Sequence, residues 1–453
     1  MTRREFAVST ATFAMSGGFA RAAMTGARPS KRQLRWQSLE LTAFLHFNMN
    51  TFTDREWGLG DEDPNLFRPA ALDANGIAAD LAGSGFRGMI LTCKHHDGFC
   101  LWPTKTTEHS VSHSAWRGGK SDVVREFSEA AKKNGLLFGV YLSPWDRNNA
   151  VYGKPEYIPL YRRQLTELLT NYGPIFEVWF DGANGGDGYY GGAKEKRVID
   201  KRTYYDWPGT WDLVRKLQPE AAIFSDVGPD IRWVGNEKGI AGDPCWATYD
   251  PVGENGGPAA PGDVRASDSA TGTENGSHWM PAECDVSIRP GWFWHASENA
   301  KVKTPSKLMD LYFHSVGRGA GLLLNVPPNR EGRLSKEDVE ALRGFQRLRS
   351  AMFRQNLLQR TQGVTAVQEA CCPMIGFNLN NPTTFRVIRL REDLTDGQQI
   401  RSVKILAPEE IATATSVGNC RLIRLEKPVT TSRLGLEIRG VGEPKLKSVE
   451  LFG

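Results

Sequence analysis

Gly88-Met-Ile-Leu-Thr-Cys-Lys-His-His-Asp97 is the stretch of this 453-residue chain that decides the fold. Its first six residues form a near-continuous apolar run, which is typical of a strand buried on both faces of a parallel sheet. Polar side chains follow at once. A helical pattern covers 121–134, and the next apolar run occupies 136–142. A strand, a helix and a second strand in this order predict a βαβ unit.

The same alternation repeats over some 300 residues, with Gly or Pro at the joints. Helical apolar spacing occurs at 69–84, 121–134, 157–172, 207–218 and 304–316. The short apolar runs lie at 41–47, 88–93, 136–142, 176–180, 221–224, 286–288 and 321–326. No Gly-x-Gly-x-x-Gly follows the first run, so the main sequence signal of a dinucleotide-binding sheet is missing. We therefore predict an α/β fold with a TIM-like (β/α) barrel.

Beyond residue 355 the periodicity changes to two, which is typical of antiparallel strands. A last amphipathic helix is predicted at 335–354, and the Gly- and Pro-rich segment 251–282 is predicted to be a long loop on the barrel face. The alternating runs are 385–390, 403–405, 422–425, 434–438 and 449–451. These patterns predict a catalytic barrel over 24–354 and a C-terminal antiparallel β-sandwich over 355–453.

The N-terminus carries the features of an export signal. Thr2-Arg3-Arg4-Glu5-Phe6 is a twin-arginine start, and a weakly apolar stretch with alanines at 20, 22 and 23 follows it. We predict that residues 1–23 are a twin-arginine signal peptide and that the protein is periplasmic or secreted.

Composition and charge exclude several classes of protein. The chain is 40% hydrophobic and 24% charged, which are the values of a globular protein and not of a disordered one. Its 56 Lys and Arg against 52 Asp and Glu give a net charge of +4, too small for the basic stripe of a nucleic-acid binder. No run of 18 apolar residues occurs, so no membrane span is predicted.

Polar and aromatic residues follow five consecutive apolar runs. Barrel enzymes build their active sites at the carboxyl ends of the strands, so these residues are predicted to share one site. They are His46 after the first run, Lys94 to Asp97 after the second, Tyr141, Ser143 and Trp145 near the end of the third, Trp179 and Asp181 at the fourth, and Asp226, Arg232 and Glu237 after the fifth.

Asp181 is the strongest of these candidates for a catalytic residue, because it ends an apolar run and Gly182 follows it. A carboxylate at the end of a buried strand needs either a partner or a chemical role. Capping of the next helix is the alternative. Trp179 lies two residues earlier, on the same face of the strand, and is predicted to line the same pocket.

His95 and His96 are compatible with a metal site or with hydrogen bonds to a polyhydroxylated ligand. Adjacent side chains of a strand point to opposite faces, which disfavours their binding one metal ion. His46-Phe-Asn also lacks the His-x-His of a barrel metallohydrolase. We therefore predict neither a metal nor a cofactor.

The tryptophans favour a sugar as the ligand, since an indole face can pack on the apolar face of a sugar ring. Those in or beside the predicted loops are Trp57, Trp102, Trp145, Trp179, Trp233, Trp292 and Trp294. Glycoside hydrolysis needs two carboxyl groups. With Asp181 as one, Glu237 and Glu283 are the candidates for the other, and the chemistry of the residues does not choose between them.

At these residues the chain resembles the α-L-fucosidases of glycoside hydrolase family 29. The resemblance covers roughly 35–350. Its motifs are His46-Phe-Asn, Glu56-Trp-Gly, Lys94-His-His-Asp-Gly-Phe99, Gly139-Val-Tyr141, Val178-Trp-Phe-Asp-Gly182, the blocks 225–237 and 281–294, and Gly321-Leu-Leu-Leu-Asn-Val-Pro327. The two long blocks resemble the subgroup that acts on α-1,3- and α-1,4-linked fucose in branched, Lewis-type glycans.

The resemblance implies a (β/α) barrel with a C-terminal β-sandwich, a retaining mechanism and a fucosylated oligosaccharide as substrate. By motif match, Asp181 would be the nucleophile and Glu237 the acid/base, with Glu283 as the alternative. The residues that match substrate-binding positions are His46, Glu56, Trp57, His95, His96, Tyr141, Trp179, Arg232 and Trp292. A metal-dependent barrel hydrolase and a non-catalytic fucose-binding protein are the competing hypotheses.

Overall fold

The computed structural model describes residues 26–368, 373–442 and 444–453. The predicted signal peptide, 1–23, lies outside the described residues. Eight parallel strands close into a barrel in which neighbours in sequence are neighbours in space, and the first strand pairs with the last. They are β1 (Leu41–Leu45), β2 (Gly88–Lys94), β3 (Leu137–Leu142), β4 (Ile175–Trp179), β5 (Ala222–Ser225), β6 (Ile231–Trp233), β7 (Ala282–Ser287) and β8 (Gly321–Asn325). The predicted TIM-like barrel is confirmed.

The seven predicted runs correspond to seven of these strands, and β6 was not predicted. It is three residues long and has Arg232 at its centre, so it shows no apolar run. Strand β7 begins four residues before the predicted run 286–288, because Glu283 and Asp285 interrupt its apolar pattern.

Three short helices, Lys31–Gln37, Met49–Thr53 and Ala266–Thr271, were not predicted, whereas the helical patterns at 69–84, 121–134, 157–172, 207–218, 304–316 and 335–354 each correspond to a helix. Helix α4 shows why: Asp122 caps its first turn by accepting a hydrogen bond from the Arg125 amide at 2.9 Å, and Val124 and Phe127 face the core. The α-helices of the described residues are α1 (Lys31–Gln37), α2 (Met49–Thr53), α3 (Ala74–Gly83), α4 (Val123–Lys133), α5 (Tyr157–Asn171), α6 (Trp207–Leu217), α7 (Ala266–Thr271), α8 (Pro305–His314) and α9 (Lys336–Met352). None of these helices combines the length and the apolar character needed to cross a membrane.

Two short antiparallel strand pairs lie outside the barrel sheet. One pairs Gly186–Gly188 with Glu195–Arg197, and the other pairs Thr248–Tyr249 with His278–Trp279. The second strand pair and α7 lie within or beside the segment 251–282, whose remaining residues form the predicted loop.

The C-terminal part is antiparallel β structure, as predicted. Its strands are β9 (Thr361–Gln368), β10 (Pro373–Glu392), β11 (Ile400–Leu406), β12 (Glu410–Ala414), β13 (Arg421–Gly440) and β14 (Leu446–Phe452). They join into one sheet, in which the first half of β10 pairs with β9 and the second half with β14. Alternate residues such as Ile388, Leu390, Val403 and Ile405 form a separate apolar core.

Ion pairs and apolar contacts join the sheet to the barrel. Arg421 donates to both oxygens of Asp243, at 2.9 and 2.8 Å, and Arg391 lies 2.5 Å from Glu40. Leu422 and Phe452 are part of the apolar core that lies around the barrel. The C-terminal sheet is thereby attached both to the start of β1, at Glu40, and to the segment between β6 and β7, at Asp243.

Candidate active site

A cavity of about 270 Å³ opens among the loops at the carboxyl ends of the barrel strands. Its walls combine carboxyl groups, imidazoles and indoles, which is the chemistry of a polar ligand with an apolar face. The lining residues are Phe44, His46, Glu56, Trp57, His95, His96, Trp179, Asp181, Gly182, Ala183, Asp226, Trp233, Glu237, Asp285 and Trp292.

Asp181 follows β4, and both of its carboxylate oxygens are fixed. The Tyr141 hydroxyl donates to Oδ2 at 2.8 Å, and the Ala183 amide donates to Oδ1 at 2.7 Å. The side chain is 24% exposed, so a ligand in the cavity can reach it. A carboxylate oriented by two donors and open to a cavity is suited to attack an electrophilic carbon.

Glu237 lies four residues after β6 and accepts a hydrogen bond from Trp292 Nε1 at 3.2 Å. Burial raises its pKa, and the negative charges of Asp181 and Glu56 raise it further, against the opposing effect of the Trp292 hydrogen bond. A carboxyl group with a raised pKa can carry a proton and donate it to a leaving group.

Glu283 occupies a different place. It lies on β7, is fully buried and does not line the cavity. Its Oε1 accepts a hydrogen bond from Trp179 Nε1 at 2.9 Å. The two candidates for the second carboxyl are thus separated: Glu237 lines the cavity wall, whereas Glu283 lies behind Trp179. Its placement argues against an acid/base role for Glu283.

Three histidines line the cavity, and hydrogen bonds to Nδ1 orient each ring. His46 Nδ1 lies 2.9 Å from Asn325 Oδ1, and because the Asn325 amide group donates to Trp292 O, the imidazole must donate here. His95 Nδ1 accepts from Asn50 Nδ2 at 3.2 Å. These assignments follow from the network of donors and acceptors.

His96 Nδ1 donates to Ser143 Oγ at 2.8 Å, since the serine hydroxyl itself donates to Trp145 O. Burial lowers the pKa of His46 and His96 to about 4, and it lowers that of His95 well below its ordinary value. The three rings are therefore neutral at pH 7. Among the described residues no hydrogen bond occupies the acceptor Nε2 of His46 or His96 or the Nε2–H of His95, and His96 Nε2 lies 3.8 Å from Asp181 Oδ2. Together the three rings can bind hydroxyl groups.

Glu56 anchors the segment that carries Trp292. Its Oε2 accepts from the Trp292 amide at 2.8 Å, and its Oε1 accepts from the Phe293 amide at 3.1 Å and from His295 Nε2 at 2.7 Å. His295 Nδ1 lies 2.8 Å from Asp54. Glu56 thus fixes the indole that contacts Glu237.

Two tryptophans form opposite edges of the cavity. The ring centroid of Trp292 lies 5.1 Å from that of His46. Trp57 packs edge-on against His96, with ring centroids 5.3 Å apart, and is 53% exposed. An indole this exposed beside a cavity is available to a ligand.

Arg232 does not line the cavity, contrary to the prediction that it binds substrate. Strand side chains alternate, and on β6 it is Trp233 that points into the cavity. Arg232 is buried on the other face, where its guanidinium donates to the carbonyl oxygens of Ser269, Trp246 and Met280. It holds the loop that follows β6 in place.

Asp226, which was predicted to share the site, and Trp233, one of the tryptophans beside the predicted loops, both line the cavity. Asp285 also lines it and was not predicted. Burial raises the pKa of Asp226 to about 6 and that of Asp285 well above its ordinary range. Trp233 Nε1 donates to Asp285 Oδ1 at 2.9 Å. The alternation on β7, in which Glu283, Asp285 and Ser287 share a face, was the signal for Asp285.

Over the described ranges, no three His, Cys, Asp or Glu side chains are grouped so that they could hold a metal ion.

Comparison with known proteins gives a consistent result. Residues 23–347 match the family model described as alpha-L-fucosidase. Alpha-L-fucosidase 1 of Arabidopsis thaliana is 42% identical over 445 residues, which cover 90% of this chain and 84% of the plant protein.

Solved structures agree. A glycoside hydrolase 29 family member from an unknown rumen bacterium is 42% identical, with a TM-score of 0.87, and the match covers 94% of this chain and 77% of the bacterial one. A Ruminococcus gnavus family 29 fucosidase, solved in complex with fucose, is 27% identical with a TM-score of 0.81 over 95% of this chain and 97% of its own.

Proposed function

The chain belongs to the alpha-L-fucosidase family, glycoside hydrolase family 29, and is an α-L-fucosidase; from this premise we propose that it is a retaining exo-enzyme which removes α-1,3- and α-1,4-linked fucose from branched, Lewis-type glycans. The observation that carries the mechanism is the pair of carboxyl groups on one cavity: Asp181, fixed by two donors, and Glu237, whose pKa burial raises.

In the first step, an Asp181 oxygen attacks the anomeric carbon of fucose as the glycosidic bond breaks. Glu237 gives its proton to the departing oxygen, so the glycan leaves as an alcohol. The products are a fucosyl ester on Asp181 and an ionised Glu237. Such a displacement requires the two carboxyl groups to lie about 5–5.5 Å apart.

In the second step, ionised Glu237 takes a proton from water while the water oxygen attacks the anomeric carbon. The ester bond to Asp181 breaks, free fucose leaves, and Glu237 is protonated again. Two inversions give net retention of configuration. Tyr141 contributes to both steps: its hydrogen bond orients the attacking carboxylate in the first and stabilises the departing carboxylate in the second.

The histidines and tryptophans account for a fucose pocket. Neutral His46, His95 and His96 supply acceptors and a donor for ring hydroxyls, and Trp292 covers the apolar side of the sugar. The fucose-bound Ruminococcus gnavus relative supports fucose as the ligand. The proposed linkage preference rests on the blocks 225–237 and 281–294, which carry Glu237 and Trp292.

Fucose release from Lewis a, Lewis x and an α-1,2-fucosylated lactose, measured in parallel, tests the specificity. We expect release from the two Lewis glycans alone; release from the α-1,2 glycan as well would contradict the linkage preference. Proton NMR of the first product formed tests the mechanism. α-Fucose before mutarotation supports retention, and β-fucose would overturn it.

We also propose that the protein is exported by the twin-arginine route, on the strength of residues 1–23. Replacing Arg3 and Arg4 by Lys should leave the precursor in the cytoplasm. Unchanged export of that variant would contradict the proposal.

A further inference from the structure

Two carboxyl groups are enclosed inside the barrel behind the cavity. Glu177 lies on β4 and Glu283 on β7, and neither side chain is exposed. Within the described residues, neither has a Lys, Arg or His within ion-pair distance. Burying an unpaired carboxylate is costly, so this arrangement needs a physical explanation.

The hydrogen bonds of the pair supply that explanation. Trp36 Nε1 donates to Glu177 Oε2 at 2.8 Å, and Trp179 Nε1 donates to Glu283 Oε1 at 2.9 Å. The other two oxygens, Glu177 Oε1 and Glu283 Oε2, are buried and receive no donor from the described residues. Glu177 and Glu283 are close enough for each to affect the pKa of the other. A hydrogen bond between their two unpartnered oxygens would require a proton on one of the carboxyl groups.

Electrostatics agrees with this geometry. Burial is the main cause that raises the pKa of both groups, and the negative charge of Glu177 raises the pKa of Glu283 further. Asp230, which is ion-paired with Arg32 and Arg215, acts in the same direction on Glu177. Asp285, the next residue on the same face of β7, adds a further carboxyl close to Glu283.

The pair is connected to the nucleophile by two aromatic rings. Trp179, held by Glu283, stacks on Phe224 with ring centroids 4.2 Å apart, and on Tyr141 at 5.4 Å. Tyr141 in turn donates its hydroxyl hydrogen to Asp181. A shift of the indole would therefore displace both a cavity wall and the donor that orients Asp181.

We propose that Glu177 and Glu283 are positioning residues that share one buried proton, fix the Trp179 indole, and through Trp179 and Tyr141 set the orientation of Asp181. The inference rests on the proposed function in that Asp181 is taken as the nucleophile. A carboxyl pair suits this task because the Trp179 N–H needs a buried acceptor. A proton shared with a second carboxyl halves the number of buried charges, and the Trp36 and Trp179 indoles donate to the pair.

Two substitutions at one position separate positioning from other roles. In Glu283→Gln, the amide oxygen still accepts from Trp179 and the amide N–H replaces the shared proton, so kcat/KM should stay within about 3-fold of the wild type. In Glu283→Met, similar in length but unable to accept, a misplaced Trp179 should lower kcat/KM by about 10–100-fold. Circular dichroism and melting curves identify the folded variants.

The outcomes are distinct. A folded Met variant with unchanged kcat and KM would reduce the pair to a structural role and overturn the inference. A Gln variant as inactive as Asp181→Asn would also overturn it, since Glu283 would then be acting chemically. Trp36→Phe removes the indole donor on the Glu177 side, and its effect reaches Trp179 only through the pair, so it should lower kcat/KM less than Glu283→Met does. A larger loss in Trp36→Phe would overturn the route through Glu283 and Trp179.

The shared proton is measured by infrared difference spectroscopy between wild type and the Glu177→Gln, Glu283→Gln double variant at neutral pH. We expect the loss of a protonated carboxylic acid carbonyl band; loss of carboxylate bands alone would contradict proton sharing. This measurement needs neither the Met variant nor turnover. If the wild type released no fucose from any glycan, the proposed function would fail. The spectra would still test whether Glu177 and Glu283 share a proton, and calorimetric fucose binding would still test whether the pair positions the pocket.

Discussion

Carboxyl groups at the junction with the C-terminal sheet have arginine partners, whereas carboxyl groups at the cavity do not, within the part of the chain that the structure describes. At the junction, Asp243 is paired with Arg421 and Glu40 with Arg391. At the cavity, Asp181, Glu237 and Asp226 have no Lys or Arg within ion-pair distance among the described residues. Arginine neutralises a carboxylate and lowers its reactivity. The contrast supports the proposed chemical roles of Asp181 and Glu237, and it assigns the paired groups at the junction to stability.

The contrast predicts its largest effect at Asp181. Asp181→Asn should lower kcat by at least about 10³-fold, because an amide oxygen is a poor nucleophile. The melting temperature should hardly change, since Asn still accepts from Tyr141. Turnover of an aryl fucoside, with calorimetric binding of fucose as the control for an intact pocket, measures this. A variant with most of its activity would disprove the assignment.

Glu237→Gln should be second in size, and its effect should depend on the leaving group. For a Lewis glycan, whose departing oxygen needs a proton, the loss should be about 10²–10⁴-fold. For an aryl fucoside with an acidic phenol, the first step should be much less affected. Equal losses on the two substrates would show that Glu237 is not the acid.

Tyr141→Phe sharpens the comparison within the cavity. It removes one hydrogen bond to Asp181 and keeps the ring that stacks on Trp179. A hydrogen bond to a charged group contributes about 1.5–3 kcal/mol, so kcat/KM should fall about 10–100-fold. A decrease in melting temperature with normal kinetics would place Tyr141 among the purely structural residues.

Arg421→Ala should show the opposite pattern. It leaves Asp243 without its bidentate partner, so the free energy of unfolding should fall by about 1–3 kcal/mol while kcat and KM stay unchanged. Chemical denaturation followed by tryptophan fluorescence measures the loss. A change in kcat would show that the sheet influences the cavity.

Arg424→Ala is the matched exposed control. Arg424 and Asp310 form an ion pair at 3.1 Å with both side chains in contact with solvent. Exposed pairs contribute about 0–1 kcal/mol, so this should be the smallest effect of the series. A loss equal to that of Arg421→Ala would mean that burial at the junction is unimportant.

Much of the barrel could be predicted from the sequence, because strands buried on both faces leave apolar runs. Run 176–180 was predicted as a strand even though it contains Glu177. Strand β6 could not be predicted, since Ile-Arg-Trp offers only two apolar residues and its pairing with β5 and β7 is a tertiary property.

The site was predicted where polar residues follow a strand, and less well where they lie within one. Asp181 and His46 follow apolar runs and line the cavity. Arg232 and Glu283 lie inside strands. There, a shift of one residue moves a side chain to the other face of the strand, and a shift of two residues changes its depth in the barrel, so either shift decides whether the side chain reaches the ligand. Motif resemblance carries no information on that phase.

The neutral imidazoles of the barrel have a consequence for the protons exchanged on unfolding. Burial lowers the pKa of four histidines: His46, His95, His96 and His109. Unfolded, they would bind protons below about pH 6.5, so acid favours the unfolded chain. Between about pH 4 and 6.5 they therefore make stability rise with pH.

The protonated carboxyls act in the other direction. Burial raises the pKa of Asp97 to about 8 and also raises those of Glu177, Glu283 and Asp285. Unfolded, these groups would release their protons above about pH 4, so alkali favours the unfolded chain. Between about pH 4 and 6.5 the two sets oppose each other, because unfolding binds protons on the histidines and releases them from these carboxyls. Above about pH 6.5 only the carboxyls contribute, and unfolding the barrel acidifies its surroundings.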